Sequence, residues 1–499
     1  MTMKKILLCG EATYSNSGYS NYGYQLMKRL HDKGEFQLAE LSCFGNKEKS
    51  YLIPWKSYLV PPNNQNKFGA ETFNDILIDF KPDIVWSFRD PWIDDFIGYS
   101  PLKRHYDWIY MPTVDSIPLS TDWIYAINKA DYVATYTEWA KEYLKENYSN
   151  INLIGELPPG AGDELFPIED KDEFKEQHGI NRDCLIIGSV MRNQKRKLIP
   201  DLFDAFEQLL KESNNDLSKR LFLLMHTTYP DVGWDIPRLL SERPTLSKKV
   251  LFTYKCYSCN EILITNFCGA LAKCRYCKTF SCSFPKVTDG VKKEKMHMVY
   301  NLIDLYVQYS CAEGFGMPLA EAASCGVPVS AVDYGAMSDI VKKLNGFPIE
   351  VQRMHYEVET QRKFALPNNS SFVKICKDFL SLPKQVRKAK GLSTYDLCKE
   401  NFNYENTFDK LYDLISNIKQ RNTWNSNKLK CEIPKLETIT NLSDYDFISE
   451  LIKNMFFIDK EEIISRTLKM LNFGFKNKQT IYSEIEKVCN SFNYYESLR

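Results

Sequence analysis

Glu313-Gly314-Phe315-Gly316-Met317-Pro318-Leu319-Ala320-Glu321 sets two carboxylates eight positions apart around a Gly-Phe-Gly turn. Upstream, residues 301–310 read as a helix end running into a short buried strand. Downstream, residues 319–323 read as helical, and residues 326–330 open the next strand. The glycines therefore lie where a strand ends and a helix begins. At such a junction, free backbone N–H groups and the positive end of the helix can hold a negatively charged diphosphate. Glu313 and Glu321 can accept hydrogen bonds from sugar hydroxyls. Taken alone, the stretch also fits an ordinary strand-to-helix turn with a capping glutamate.

Other segments agree with the first reading in a consistent order. Ile186-Ile187-Gly188-Ser189-Val190-Met191-Arg192-Asn193-Gln194-Lys195-Arg196-Lys197 is an apolar strand running into cations, and residues 221–225 are a further apolar strand. The run Glu-Gly-Phe-Gly-x-Pro-x-x-Glu-Ala resembles the Glu-x7-Glu motif of retaining GT-B glycosyltransferases, family 4 in particular. Ile186 to Lys197 is similar to the opening of that family's donor domain, with its Arg and Lys five positions apart at Arg192 and Lys197. His226-Thr227-Thr228 through Gly233-Trp234-Asp235-Ile236-Pro237 resembles a strand-exit loop of some members. Leu157-Pro158-Pro159-Gly160-Ala161-Gly162-Asp163-Glu164-Leu165-Phe166-Pro167 resembles the interdomain segment, with Gly162 where an aspartate is common, so no role is carried to that position.

The resemblance implies an α/β GT-B fold, two Rossmann-like domains facing a cleft. It also implies transfer of a hexosyl or pentosyl group from a nucleotide sugar, UDP- or GDP-linked, without a catalytic metal. Arg192 and Lys197 would neutralise the departing diphosphate, as a leaving group gaining charge requires fixed cations. Glu313 would orient the transferred sugar and Glu321 would bind the donor ribose. Phe315, Gly316 and Met317 would give backbone contacts to the donor. The leaving phosphate itself can take the acceptor proton.

Composition is consistent with this reading. A chain of 499 residues points to more than one domain, and 44% hydrophobic residues supply substantial cores. Lys+Arg and Asp+Glu both number 64, which excludes a generic nucleic-acid or membrane-surface binder, so any basic contact surface is local. The apolar run near the N-terminus is too short for a signal-peptide core, and no run of about 18 apolar residues follows. The expectation is a soluble cytoplasmic protein, in the host cytoplasm if the source is viral. In that setting the 15 cysteines read as thiols and metal ligands rather than disulfides.

Along the chain, apolar strands alternate with amphipathic helices, the pattern of parallel-sheet α/β domains. Strands are expected at residues 4–9, 37–41, 84–88, 108–111 and 132–135. The Gly/Ser/Asn loop at residues 10–23 should face the cleft, because ligands of open α/β sheets bind beyond the carboxyl ends of the strands. Gly18 permits close backbone approach there. Asp115 falls at a strand exit where the resembling family often places a His that touches the sugar; a catalytic or sugar contact and a helix cap are both open.

Cys256-Tyr257-Ser258-Cys259 and Cys274-Arg275-Tyr276-Cys277 are two Cys-x2-Cys knuckles separated by 14 residues, close to zinc-ribbon spacing. Four thiolates on two knuckles make a closed tetrahedral zinc site, which lets a segment with little core fold on metal. Cys268 and Cys282 read as bystanders, although either can replace a knuckle cysteine. The ribbon interrupts the glycosyltransferase pattern at residues 254–285 and reads as a projecting insertion. Lys273, Arg275, Lys278, Lys286, Lys292, Lys293 and Lys295, interleaved with Tyr257, Phe267, Tyr276, Phe280 and Phe284, make it locally basic and aromatic. Such a surface suits phosphates and bases; a stabilising or dimerising knob is the alternative.

The expected domains are residues 1–175 on the acceptor side, 180–400 for the donor with the ribbon inside it, a closing helix at 401–418 that crosses back, and a helical tail at 437–499. Between them, residues 419–436 read as a linker. The ribbon points to a hydroxymethylated base in DNA as acceptor, as in viral genome modification. A surface glycan, lipid or protein is the second reading. A non-catalytic nucleic-acid-binding or scaffolding protein is the third, opposed by the intact Arg/Lys pair and both glutamates.

Overall fold

The computed structural model describes residues 3–15, 17–287, 289–455 and 457–499; Asn16 of the first loop and the Lys293 side chain lie outside the described residues. The first sheet is parallel and seven-stranded. Its strands are β1 (Lys4–Glu11), β2 (Phe36–Cys43), β3 (Lys56–Leu59), β4 (Ile84–Ser87), β5 (Asp107–Tyr110), β6 (Tyr132–Thr135) and β7 (Leu153–Glu156). Their order is β3-β2-β1-β4-β5-β6-β7, so the topology reverses direction beside β1. The central strands are apolar throughout because helices cover both faces; Ile6, Leu7, Leu8, Val85, Trp86 and Ile109 are all fully buried.

The second sheet is built from β8 (Leu185–Val190), β9 (Leu221–His226), β10 (Val250–Cys256), β11 (Ile262–Asn266), β12 (Cys282–Ser283), β13 (Leu305–Gln308), β14 (Val329–Val332) and β15 (Phe347–Ile349). The order is β11-β10-β9-β8-β13-β14-β15, with β12 also paired to β10. All pairs are parallel except those of β11 and β12 with β10. A two-stranded antiparallel arm follows, β16 (Val351–Tyr356) and β17 (Lys363–Pro367).

The ribbon is less separate than its sequence implies. β10 runs two residues past Tyr254, and both ribbon strands pair onto it. Cys256, Cys274, Cys282 and Phe284 join the core of the second sheet. Phe284 packs on Phe252, Tyr254 and Phe267, and on Tyr229 from the β9 exit loop.

The helix Tyr404–Asn417 crosses back to the first sheet: Lys4 Nζ donates to the carbonyls of Ile415 at 2.5 Å and Ile418 at 2.7 Å. The segment read as a linker is in fact a strap pinned to that sheet. Arg421 pairs with Asp107 and Asp131 at 2.5 and 2.6 Å. Trp424 is buried, stacks on His105 at 4.5 Å and donates Nε1–H to Pro82 O at 2.8 Å. The tail helices Asp444–Leu451, Lys460–Asn472 and Lys478–Leu498 share their own apolar core. They dock on the first domain through Glu496, which accepts from His105 at 3.0 Å and Arg104 at 2.9 Å. Among the described residues, no helix is long and apolar enough to cross a membrane.

Candidate active site

The Glu313 turn lies where β13 gives way to the helix Met317–Ser324. Gly316 holds φ +100°, a left-handed backbone that L side chains rarely adopt, and no side chain caps the helix start. Gly314 is equally constrained: a Cβ there would stand 2.2 Å from Thr113 Cγ2 at the β5 exit. The turn is therefore pressed against the opposite domain. Across the cleft, a Cβ on Gly18 would lie 3.8 Å from Met317 Cγ. Gly18 begins the helix Gly18–Lys33, so two helix N-termini converge on one place. Their summed positive ends favour an anion between them.

Glu313 is almost fully buried. Its carboxylate accepts from Lys197 Nζ, from Arg196 Nη1 at 2.6 Å and from Gln308 Nε2 at 2.8 Å. Burial opposes its charge, but Arg196 and Lys197 outweigh that and hold the carboxyl down at about 2. Burial and the like charge of Arg196 bring Lys197 down to about 8 despite its bond to Glu313. The site thus keeps a fixed carboxylate beside a lysine that is charged at neutral pH and loses its proton near 8.

Of the residues singled out from sequence, Lys197, Glu313, Gly316, Met317 and Gly18 meet at the cleft. Phe315 turns inward onto Phe402, ring centroids 5.6 Å apart, leaving its backbone to the turn. Glu321, on the helix, accepts from Tyr300 Oη at 2.5 Å. Arg192 is half-exposed and turns to Asp231, Nε to Oδ2 at 2.9 Å, in the β9 exit loop. Arg196, which the Arg-x4-Lys spacing passes over, is the arginine on Glu313. Asp115 does not cap the next helix, because Ser120 caps Thr121–Ile127; it pairs with Arg362 of the β16–β17 arm.

The four knuckle cysteines gather with every sulfur within 4.8 Å of the others. Cys256 and Cys277 are 3.6 Å apart, and Cys259 and Cys274 are 3.7 Å apart. Ligand sulfurs about 2.3 Å from a tetrahedral zinc stand about 3.8 Å from one another, so the set fits that ion. Cys268 and Cys282 lie outside the group. On the ribbon surface Tyr276 and Phe280 are exposed, with Arg275 over the Tyr276 ring and Lys273 over Phe280. Phe284 is core, and Tyr257 lies beneath Lys255 and Lys286.

Residues 286–363 match the family model described as Glycosyl transferases group 1, a span that includes the whole Glu313–Glu321 stretch. No curated protein matches the chain by sequence. Solved structures share its fold at low identity. Sucrose-phosphate synthase from Thermosynechococcus elongatus aligns with TM-score 0.59 and 15% identity, over 83% of this chain and 98% of that one. A glycosyltransferase from Rickettsia africae gives 0.55 and 16%, over 83% and 98%. HepE of Anabaena in complex with UDP gives 0.55 and 15%, over 83% and 100%. The fold is GT-B, two Rossmann-like domains across a cleft, here with a four-cysteine ribbon and a helical tail.

Proposed function

We propose that this chain is a retaining glycosyltransferase that takes a sugar from a UDP- or GDP-linked donor. The observation that carries the reading is the buried Glu313 carboxylate, held by Arg196, Lys197 and Gln308 beside two converging helix N-termini. The donor diphosphate lies between those helix starts, where N–H groups and Lys197 stabilise charge as the glycosidic bond breaks. Arg192, freed from Asp231, supplies a second cation. Glu313 orients the transferred sugar. Glu321, with Tyr300 behind it, receives the donor ribose hydroxyls. The acceptor enters over the first domain, past Asp115. The chemistry requires no metal, and the zinc held by Cys256, Cys259, Cys274 and Cys277 is structural.

As acceptor we infer a hydroxymethylated base in DNA. The support is the exposed Arg275–Tyr276 and Lys273–Phe280 pairs on an otherwise charge-balanced chain, which suit phosphates and an unstacked base. Incubating the purified protein with a panel of nucleotide sugars, with and without hydroxymethylated DNA, tests both steps. Nucleotide release with an α-linked product from an α-linked donor is the expected result. An inverted product would remove the retaining mechanism. Lys197→Ala should lower turnover by two to three orders of magnitude, as for loss of a preorganised electrostatic group; unchanged turnover would refute its role. If deleting residues 255–285 leaves transfer to DNA intact, the DNA acceptor falls and a glycan takes its place.

A further inference from the structure

Where the β4 and β5 exits of the first domain meet the β16–β17 arm of the second, a cavity of about 60 Å3 opens among Asp90, Trp92, Thr113, Asp115, Trp123 and Arg362. We propose that this cavity is the acceptor subsite and that it takes the primary-alcohol arm of an acceptor uncharged at that end, its ring resting on Trp92. The inference rests on the glycosyltransferase reading above.

Size, chemistry and position support it. At about 60 Å3 the cavity is small, a fit for a CH2OH group better than for a whole sugar ring. The wall carries two carboxylates, and its one guanidinium, Arg362, is already paired with Asp115, so a phosphate would meet carboxylates without a free cation of the wall to receive it. Arg362 is committed to Asp115 and lies 4.7 Å from the Trp123 ring centroid. Asp90 has a weaker partner: Tyr19 Oη stands 3.3 Å away, nearer to Thr113 Oγ1 at 2.8 Å. A carboxylate with spare acceptor capacity at the mouth of a small cavity suits an incoming hydroxyl. Trp92 is 53% exposed and stands perpendicular to Phe68, ring centroids 5.2 Å apart, so about half of the indole is open to the CH side of a sugar or the plane of a base. Thr113 is also the residue against which the Glu313 turn is pressed, so a group seated in the cavity adjoins the reacting centre.

Asp90 is faced by Asp115, Arg196, Arg362 and Tyr19, and burial together with Asp115 pushes it up to about 6. It is an acceptor of hydrogen bonds above that pH and a donor below it.

The test uses the full chain, the best donor from the panel, and matched acceptors: glucose against glucose 6-phosphate, and hydroxymethylated against unmodified DNA. Transfer to the free primary alcohol should exceed transfer to its phosphate ester by at least about tenfold in kcat/KM. The two arms separate a sugar alcohol from a base alcohol as its source. Asp90→Asn should raise the alcohol KM about tenfold, the cost of one charge-assisted hydrogen bond, and remove the acid limb near pH 6. Calorimetric affinity for the nucleotide reports that the variant is folded. Preference for the phosphate ester, or an unchanged KM and acid limb in the variant, overturns the subsite. If the wild-type protein consumes no nucleotide sugar, the glycosyltransferase reading itself falls and the subsite with it.

Discussion

Glu313 concentrates the site's electrostatics in one side chain. Glu313→Gln keeps the shape and removes the charge, leaving Lys197 buried without a counter-charge. Breaking such a pair costs roughly 3–5 kcal/mol of stability, readable as a lower urea midpoint, and turnover should fall on the order of a hundredfold or more. The pH signs follow from the same contacts. Glu313 sits at about 2 against an ordinary 4.5, so its contribution to folding is complete above pH 4.5 and is lost as pH falls through about 2. Lys197 titrates near 8, so its charge, and with it the transfer rate, should decline as pH rises through that value. Lys197→Arg should move this alkaline limb of the kcat profile upward; a limb that stays near 8 would assign it to another group.

Among the elements, the ribbon is the one whose role changes most on seeing the fold. Because β11 and β12 hydrogen-bond to β10, and Phe284 reaches Tyr229 in the loop that holds Arg192, a metal bound by the four cysteines would order part of the second sheet and its exit loop as well as a surface. Elemental analysis should find one zinc per chain. Cys256→Ser/Cys277→Ser should lose it and weaken nucleotide binding, and zinc retained in full would mean different ligands. Phe284→Ala should cost about 3–5 kcal/mol, measured by denaturant unfolding. The knuckles were legible because ligand spacing is itself a sequence pattern. Strands β8, β13 and β14 were legible because buried parallel strands are unbroken apolar runs. The β16–β17 arm was not: Gln352, Arg353, Met354 and Tyr356 are all exposed, so no apolar alternation marks it, and Arg362 went unseen with it. Arg196 was missed for another reason. Two arginines precede Lys197, and only the course of the loop after β8 decides which one turns to Glu313.

In the whole molecule, the first domain is completed by the chain that follows the second. Trp424 and Arg421 strap it, the closing helix covers Lys4, and Glu496 of the last helix joins His105 in a buried contact. Trp424→Ala should therefore cost about 3–5 kcal/mol and destabilise the first domain selectively, seen as earlier hydrogen exchange in β4 and β5 than in β8 and β13. The same arrangement orders events during synthesis. Residues of the second sheet and its helices are contiguous in the chain, whereas Lys4 waits for a carbonyl 411 residues later. Contacts of such separation form late. On a ribosome stalled once residue 400 has emerged, the second domain should already resist protease while β1 to β7 are still cleaved, so the half of the molecule made last matures first.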